Sequence, residues 1–144
     1  GAPFGAILAG PSALLKDVYH ERRMFGGSLS SSYIAAALAL KGSEIFEPKF
    51  KASMQRASDL IKALTKLPQI SIKTFDNGSN IFLATLNKTI DVDAFVLSLQ
   101  RRMIFVYKDD TNPFQINITI NPTILRRSAE ELLASFKQAF TEAS

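Results

Sequence analysis

Two runs of strand-forming residues, Ile70-Ser71-Ile72-Lys73-Thr74-Phe75 and Asn80-Ile81-Phe82-Leu83-Ala84-Thr85-Leu86, are separated by Asp76-Asn77-Gly78-Ser79. Asn-Gly accepts the positive φ that a tight hairpin turn demands, so the two runs are expected to pair antiparallel. Ahead of them, Phe50, Met54, Ala57, Ile61 and Leu64 recur every three or four residues, which predicts a long linking helix over about 48–67, stopped by Pro68. Behind them, Asp91 is placed to cap a helix through Arg102, and Ile104–Tyr107 and Phe114–Ile120 read as two more strands. Ser128 and Glu131 form a capping box for a last helix. The order helix, two strands, helix, two strands, helix specifies an α+β domain over 44–144, with a mostly antiparallel sheet of about four strands and helices on one face. Phe46, Phe50, Phe75, Phe82, Phe95, Phe105, Phe114, Phe136 and Phe140 fall on the apolar faces of these elements and are expected in the core.

Residues 1–43 read differently. Gly1 to Gly10 forms a short strand that is apolar on both faces, which belongs inside a covered sheet. Pro11 opens a helix with Ala13, Leu14, Val18 and Tyr19 on one side, and Leu29 to Leu40 forms a second, Ala-rich helix. One strand cannot satisfy its own edges, so this region is expected to be the end of a larger domain whose other strands lie elsewhere.

Composition removes several function classes. There is no Cys and one His, which excludes thiolate chemistry, disulfides and multi-His metal clusters, and no metal site is expected. The net charge of +4 is spread along the chain rather than gathered in a patch. The strand at 70–75 offers one Lys and an inward Phe, so no nucleic-acid partner is expected. The apolar run Ile34–Leu40 is far shorter than the roughly 20 residues a bilayer requires, so no membrane partner is expected and the location is read as cytoplasmic.

Gly1-Ala2-Pro3-Phe4-Gly5-Ala6-Ile7-Leu8-Ala9-Gly10, followed by Glu21-Arg22-Arg23-Met24-Phe25-Gly26-Gly27, resembles the threonine aldolase and beta-eliminating lyase family of fold-type I pyridoxal-phosphate enzymes. The resemblance is strong over residues 1–42 and architectural afterwards, where Ser79-Asn80-Ile81-Phe82-Leu83 is similar to a small-domain strand of the family. It implies an aspartate-aminotransferase-like α/β fold, represented here by the end of the large domain (1–43) and the α+β small domain (44–144). It also implies a homodimer or homotetramer acting on a small amino-acid substrate, either cleaving a β-hydroxy amino acid to glycine and an aldehyde or eliminating at the β-carbon, with the cofactor as electron sink. The family's Schiff-base lysine would stand three residues before Gly1. No catalytic residue is therefore assigned within the chain, and by itself it is expected to be inactive.

The resemblance carries a phosphate-binding role onto Arg23, reaching into a neighbouring subunit, and onto Gly26 and Gly27, whose amides would face the anion ahead of the Ala-rich helix. The competing reading of the glycines is a turn between helices. Ser30 stands where the family commonly has a second Arg, and the strand Phe114–Ile120 lacks the family's carboxylate-binding Arg. Gln115 and Asn117 then border the substrate, with neutral amides in place of a bidentate ion pair. Arg126 and Arg127 are expected to face solvent, His20 to lie on the surface, and Asp109-Asp110 to form a solvated loop. The alternative function is a free-standing α+β binding or assembly module without catalysis, with residues 1–43 as an interaction arm.

Overall fold

The computed structural model describes residues 8–27, 32–74 and 78–144. Its elements are α1 (Ser12–Leu15), α2 (Val18–Met24), α3 (Ser32–Leu64), β1 (Ile70–Lys73), β2 (Ile81–Leu86), α4 (Val92–Arg101), β3 (Tyr107–Lys108), β4 (Gln115–Thr119), a 3-10 turn (Pro122–Arg126) and α5 (Ala129–Glu142). The opening strand expected around Phe4 lies outside the described residues except for its last positions, as do Phe75, Asp76 and Asn77 of the hairpin turn.

The chain divides into two compact units, Gly1–Glu47 and Pro48–Ser144. The division falls inside α3, because the two helices expected at 29–40 and 48–67 are one continuous helix. Pro48, expected at a helix start, sits in the interior. A proline there withholds the N–H that would bond the Glu44 carbonyl, but the helix-forming residues on either side carry the helix through. The single helix expected after Pro11 is instead two. The Pro11 carbonyl accepts from Leu14 and Leu15, and the Asp17 carbonyl begins a new set by accepting from His20 and Glu21.

In the second unit the sheet order is β1-β2-β4-β3 with every neighbour antiparallel. The α+β domain with a four-stranded sheet is as the sequence indicates. Ile70, Ile72, Phe82, Ala84, Leu86, Ile116 and Ile118 alternate onto one face. Against that face α3 packs Ala57, Leu60 and Leu64, α4 packs Phe95 and Leu99, and α5 packs Leu132, Phe136 and Phe140. The Phe95 ring lies 4.6 Å from Phe140 and 6.1 Å from Phe136 between centroids, a three-ring centre for the core. Asp91 caps α4 through Asp93 and Ala94, and Ser128 and Glu131 form the expected capping box on α5.

Three expectations are corrected here. β3 is shorter than Ile104–Tyr107: α4 ends with Met103 at φ 58°, and the Met103 and Ile104 amides donate to the Gln100 and Leu99 carbonyls, which holds this segment to the helix end until Tyr107 reaches the ladder. Phe46 and Phe105 are each 58% exposed rather than in the core, since Phe105 points away on the alternation that buries Val106. Arg127 does not face solvent. It is part-buried and donates to the Arg102 and Glu131 carbonyls and to Ser135 Oγ, while its own carbonyl accepts from Arg56.

Candidate functional site

The residues expected to hold a phosphate lie at the end of α2. Gly26 has φ +78°, the left-handed conformation that favours glycine. The Gly27 amide donates to the Arg22 carbonyl at 2.8 Å and the Gly26 amide to the Arg23 carbonyl at 3.1 Å. This pair of bonds is a Schellman stop. A Cβ on Gly27 would lie 2.5 Å from Arg22 Cγ and 2.7 Å from Arg22 O, so the second glycine is required by close approach to its own helix. Both amides are thus occupied in ending α2, which is the turn reading of the glycines. Residues 28–31, including Ser28 and Ser30, lie outside the described residues.

Arg23 is exposed, donates to Tyr19 Oη at 3.3 Å and lies with its guanidinium 5.7 Å from the Tyr19 ring centroid. Arg22 lies at the same distance from that ring. Arg23 thus lies along the Tyr19 ring on the exposed side of α2, held by one hydrogen bond and a cation–ring contact. Tyr19 is a neighbour of Arg23 that the sequence expectations do not include. Its spacing of four residues from Arg23 on one helix face is the signal that could have found it.

Gln115 and Asn117 lie on the other face of the sheet from the helices. The register places Ser71, Thr85 and Gln115 in one transverse row, and Lys73, Leu83, Asn117 and Tyr107 in the next. Gln115 Nε2 donates to Thr85 Oγ1 at 3.2 Å. The Asn117 side chain bonds Asp109, whose carboxylate also accepts from the Thr111 hydroxyl and from the Thr111 and Asn112 amides. The Thr111 hydroxyl and amide, with these other donors, hold the Asp109 carboxyl below its ordinary range. Asp109 is thereby the anchor of its own turn, in keeping with a solvated loop, and among the described residues no group of three metal-ligating side chains exists.

The resulting sheet face is mostly polar: hydroxyls and amides along the centre, a lysine on β1, a tyrosine on β3, and Ile81 and Leu83 as its apolar members. A hollow of about 330 Å³ elsewhere in this unit, between Leu67–Gln69 and Lys137, Phe140 and Thr141, contains none of the expected site residues. His20 is exposed and stands edge-on to Tyr19, 5.3 Å between ring centres. No helix among the described residues is long and apolar enough to cross a membrane. Comparison with protein-family models and with curated proteins finds no match.

Proposed function

We propose that this chain is the C-terminal part of a pyridoxal-phosphate-dependent lyase resembling threonine aldolase, which cleaves a β-hydroxy amino acid to glycine and an aldehyde. The fold of the parent is aspartate-aminotransferase-like, with residues 1–43 ending its large domain and 44–144 forming its small domain. β-Elimination is the alternative chemistry on the same cofactor.

The observation that supports this reading best is the apolar surface along residues 8–46. Leu8, Leu14, Met24, Phe25, Ile34, Leu40 and Phe46 are all exposed, Phe25 by 89% and Met24 by 75%, and Ala35 is the one buried residue among the described residues of that unit. A soluble surface does not ordinarily spend so many large apolar groups on water, so these side chains are read as packing into the remainder of a larger domain and into a neighbouring subunit. On this reading the parent is a cytoplasmic homodimer or homotetramer.

Pyridoxal phosphate, when bound, supplies the electron sink for the carbanion that bond cleavage leaves behind. Within this chain, Arg23 would hold the phosphate of the cofactor in a neighbouring subunit through guanidinium N–H groups, alongside its contact with Tyr19. Gly26 and Gly27 contribute by placing the α2 end rather than by donating amides. Gln115 and Asn117 present amide groups to the substrate from the open sheet face. On this reading the Schiff-base lysine would stand three residues before Gly1, and no group of this chain is assigned to attack or deprotonate the substrate.

A specific observation favours the free-standing module as the second reading: Pro48–Ser144 closes a core of its own around Phe95 and Phe136. Sequencing the parent reading frame upstream of Gly1 and recording the cofactor absorbance of its full-length product separates the two. A Lys three codons before Gly1 and a bound-cofactor band support the lyase. A start codon near Gly1, with no cofactor taken up, transfers the assignment to the module.

A further inference from the structure

The hollow beside the end of α5 combines an apolar wall, a lysine and hydroxyl acceptors. Leu67 and Pro68, just past the end of α3, and Phe140 form the wall, and Gln69, Lys137, Thr141 and Ser144 complete the lining. Among the described residues the Lys137 ammonium makes no ion pair or hydrogen bond. Thr141 Oγ1 donates its hydrogen to the Lys137 carbonyl at 3.2 Å, and Ser144 Oγ donates to the Phe140 carbonyl at 2.6 Å. Both hydroxyl oxygens are thereby left as acceptors.

The surroundings sort the charges a ligand can carry. α3 ends shortly before Leu67 and α5 just after Thr141, so the negative ends of both helix dipoles lie beside the hollow. Together with the hydroxyl acceptors they favour a cationic donor at the C-terminal side of α5. Lys137 stands one turn earlier, roughly 6 Å back along the helix axis, and favours an anion there. A ligand that satisfies both sides carries an anion and a cationic donor close together. An α-amino acid bears its carboxylate and ammonium on one carbon, which leaves its side chain to lie against Leu67, Pro68 and Phe140. A volume of about 330 Å³ is at the small end for ligand cavities and suits a side chain of leucine size.

We infer that this hollow binds a small apolar α-amino acid, with Lys137 taking its carboxylate, the Thr141 and Ser144 oxygens its ammonium, and the apolar wall its side chain. The inference stands on the hollow and not on the proposed function, because none of the residues read there as cofactor or substrate contacts line it.

The test is saturation-transfer NMR of L-leucine with the 144-residue chain near neutral pH, a ligand-observed measurement that self-association of the chain does not obscure. Leucinamide lacks the carboxylate, N-acetyl-leucine the ammonium and glycine the apolar side chain. Leucine should saturate in the millimolar range typical of so small a ligand, and each analogue should bind about tenfold more weakly. Lys137→Gln should weaken leucine about tenfold and Thr141→Val about threefold. Lys51→Gln, the same change of charge on α3 outside the hollow, should leave the affinity unaltered. Lys137 and Thr141 are exposed, so these variants should keep the circular dichroism of the unsubstituted chain. Equal binding of leucinamide or N-acetyl-leucine, a signal that does not saturate, or unchanged affinity in Lys137→Gln each overturns the inference. No cofactor enters the measurement, so it fails separately from the lyase reading, which is decided by the absorbance of the full-length protein.

Discussion

Arg102 at the end of α4 holds the Glu142 carboxylate at the end of α5 with both terminal guanidinium nitrogens, 2.6 Å from Nη2 to Oε1 and 3.3 Å from Nη1 to Oε2. Ser98 Oγ donates to the same carboxylate at 2.6 Å and Gln138 Nε2 at 3.1 Å, so four hydrogen bonds converge on one side chain. With Arg102 the largest influence, then Ser98 and Gln138, the Glu142 carboxyl titrates at about 2 instead of its ordinary 4.5. A depressed pKa contributes stability above the ordinary value, and that contribution is lost as pH falls from about 4.5 toward about 2. Glu142→Gln is expected to lower the melting temperature at neutral pH, and the gap from wild type should close progressively across that window. Thermal melts at stepped pH check this; a gap that is constant down to the acid end would contradict it.

Met103 occupies the left-handed position that ends α4, with φ 58° and a side chain 78% exposed. Glycine takes that conformation without the Cβ penalty, and no packing is lost by removing an exposed side chain. Met103→Gly should therefore stabilise the chain by about 0.5–1 kcal/mol, read as a higher urea midpoint. Met103→Val, β-branched at the same φ, should move the midpoint the other way.

Phe95 is wholly buried and its ring meets both Phe136 and Phe140. Phe95→Ala removes one of the three rings that tie α4 to α5 and should cost about 3–5 kcal/mol. By contrast Phe105→Ala, on the exposed side of its segment, should cost less than about 1 kcal/mol. Denaturant unfolding of the two variants side by side would expose an error in the placement of the core if the costs were similar.

The apolar side chains of the first unit predict self-association of the isolated chain. Met24→Ser combined with Phe25→Ser should reduce the mass measured by light scattering at a fixed concentration, with the helical content retained. A wild-type chain that is already monomeric and does not bind a hydrophobic dye would remove the main support for the lyase reading.

Much of the second unit was legible because its signals are local. The antiparallel pairing of β1 with β2, the Asp91 cap and the Ser128–Glu131 box each join residues close in sequence, and alternation along β2 and β4 assigns their faces. What escaped depended on competition between local signals or on distant pairing. Pro48 reads as a boundary when only its own propensity is weighed, yet a helix with sound flanks runs through it. Ile104 has a strand former's side chain, but its amide is taken by the α4 stop. Arg127 looks exposed beside Arg126, and only the tertiary placement of Arg102, Glu131 and Ser135 draws it inward. For the candidate site, Gln115 and Asn117 were assigned to one strand from their spacing, whereas Lys73 enters their row through a register spanning three strands. The glycine pair carried two readings, and the bonds made by its amides favour the helix stop.

Pro48 also has a mechanical meaning. A helix with one rung missing is a beam with a notch: bending or twisting applied along α3 concentrates where the Glu44 carbonyl lacks its intrahelical donor, while the turns on either side remain stiff. The notch coincides with the junction of the two compact units.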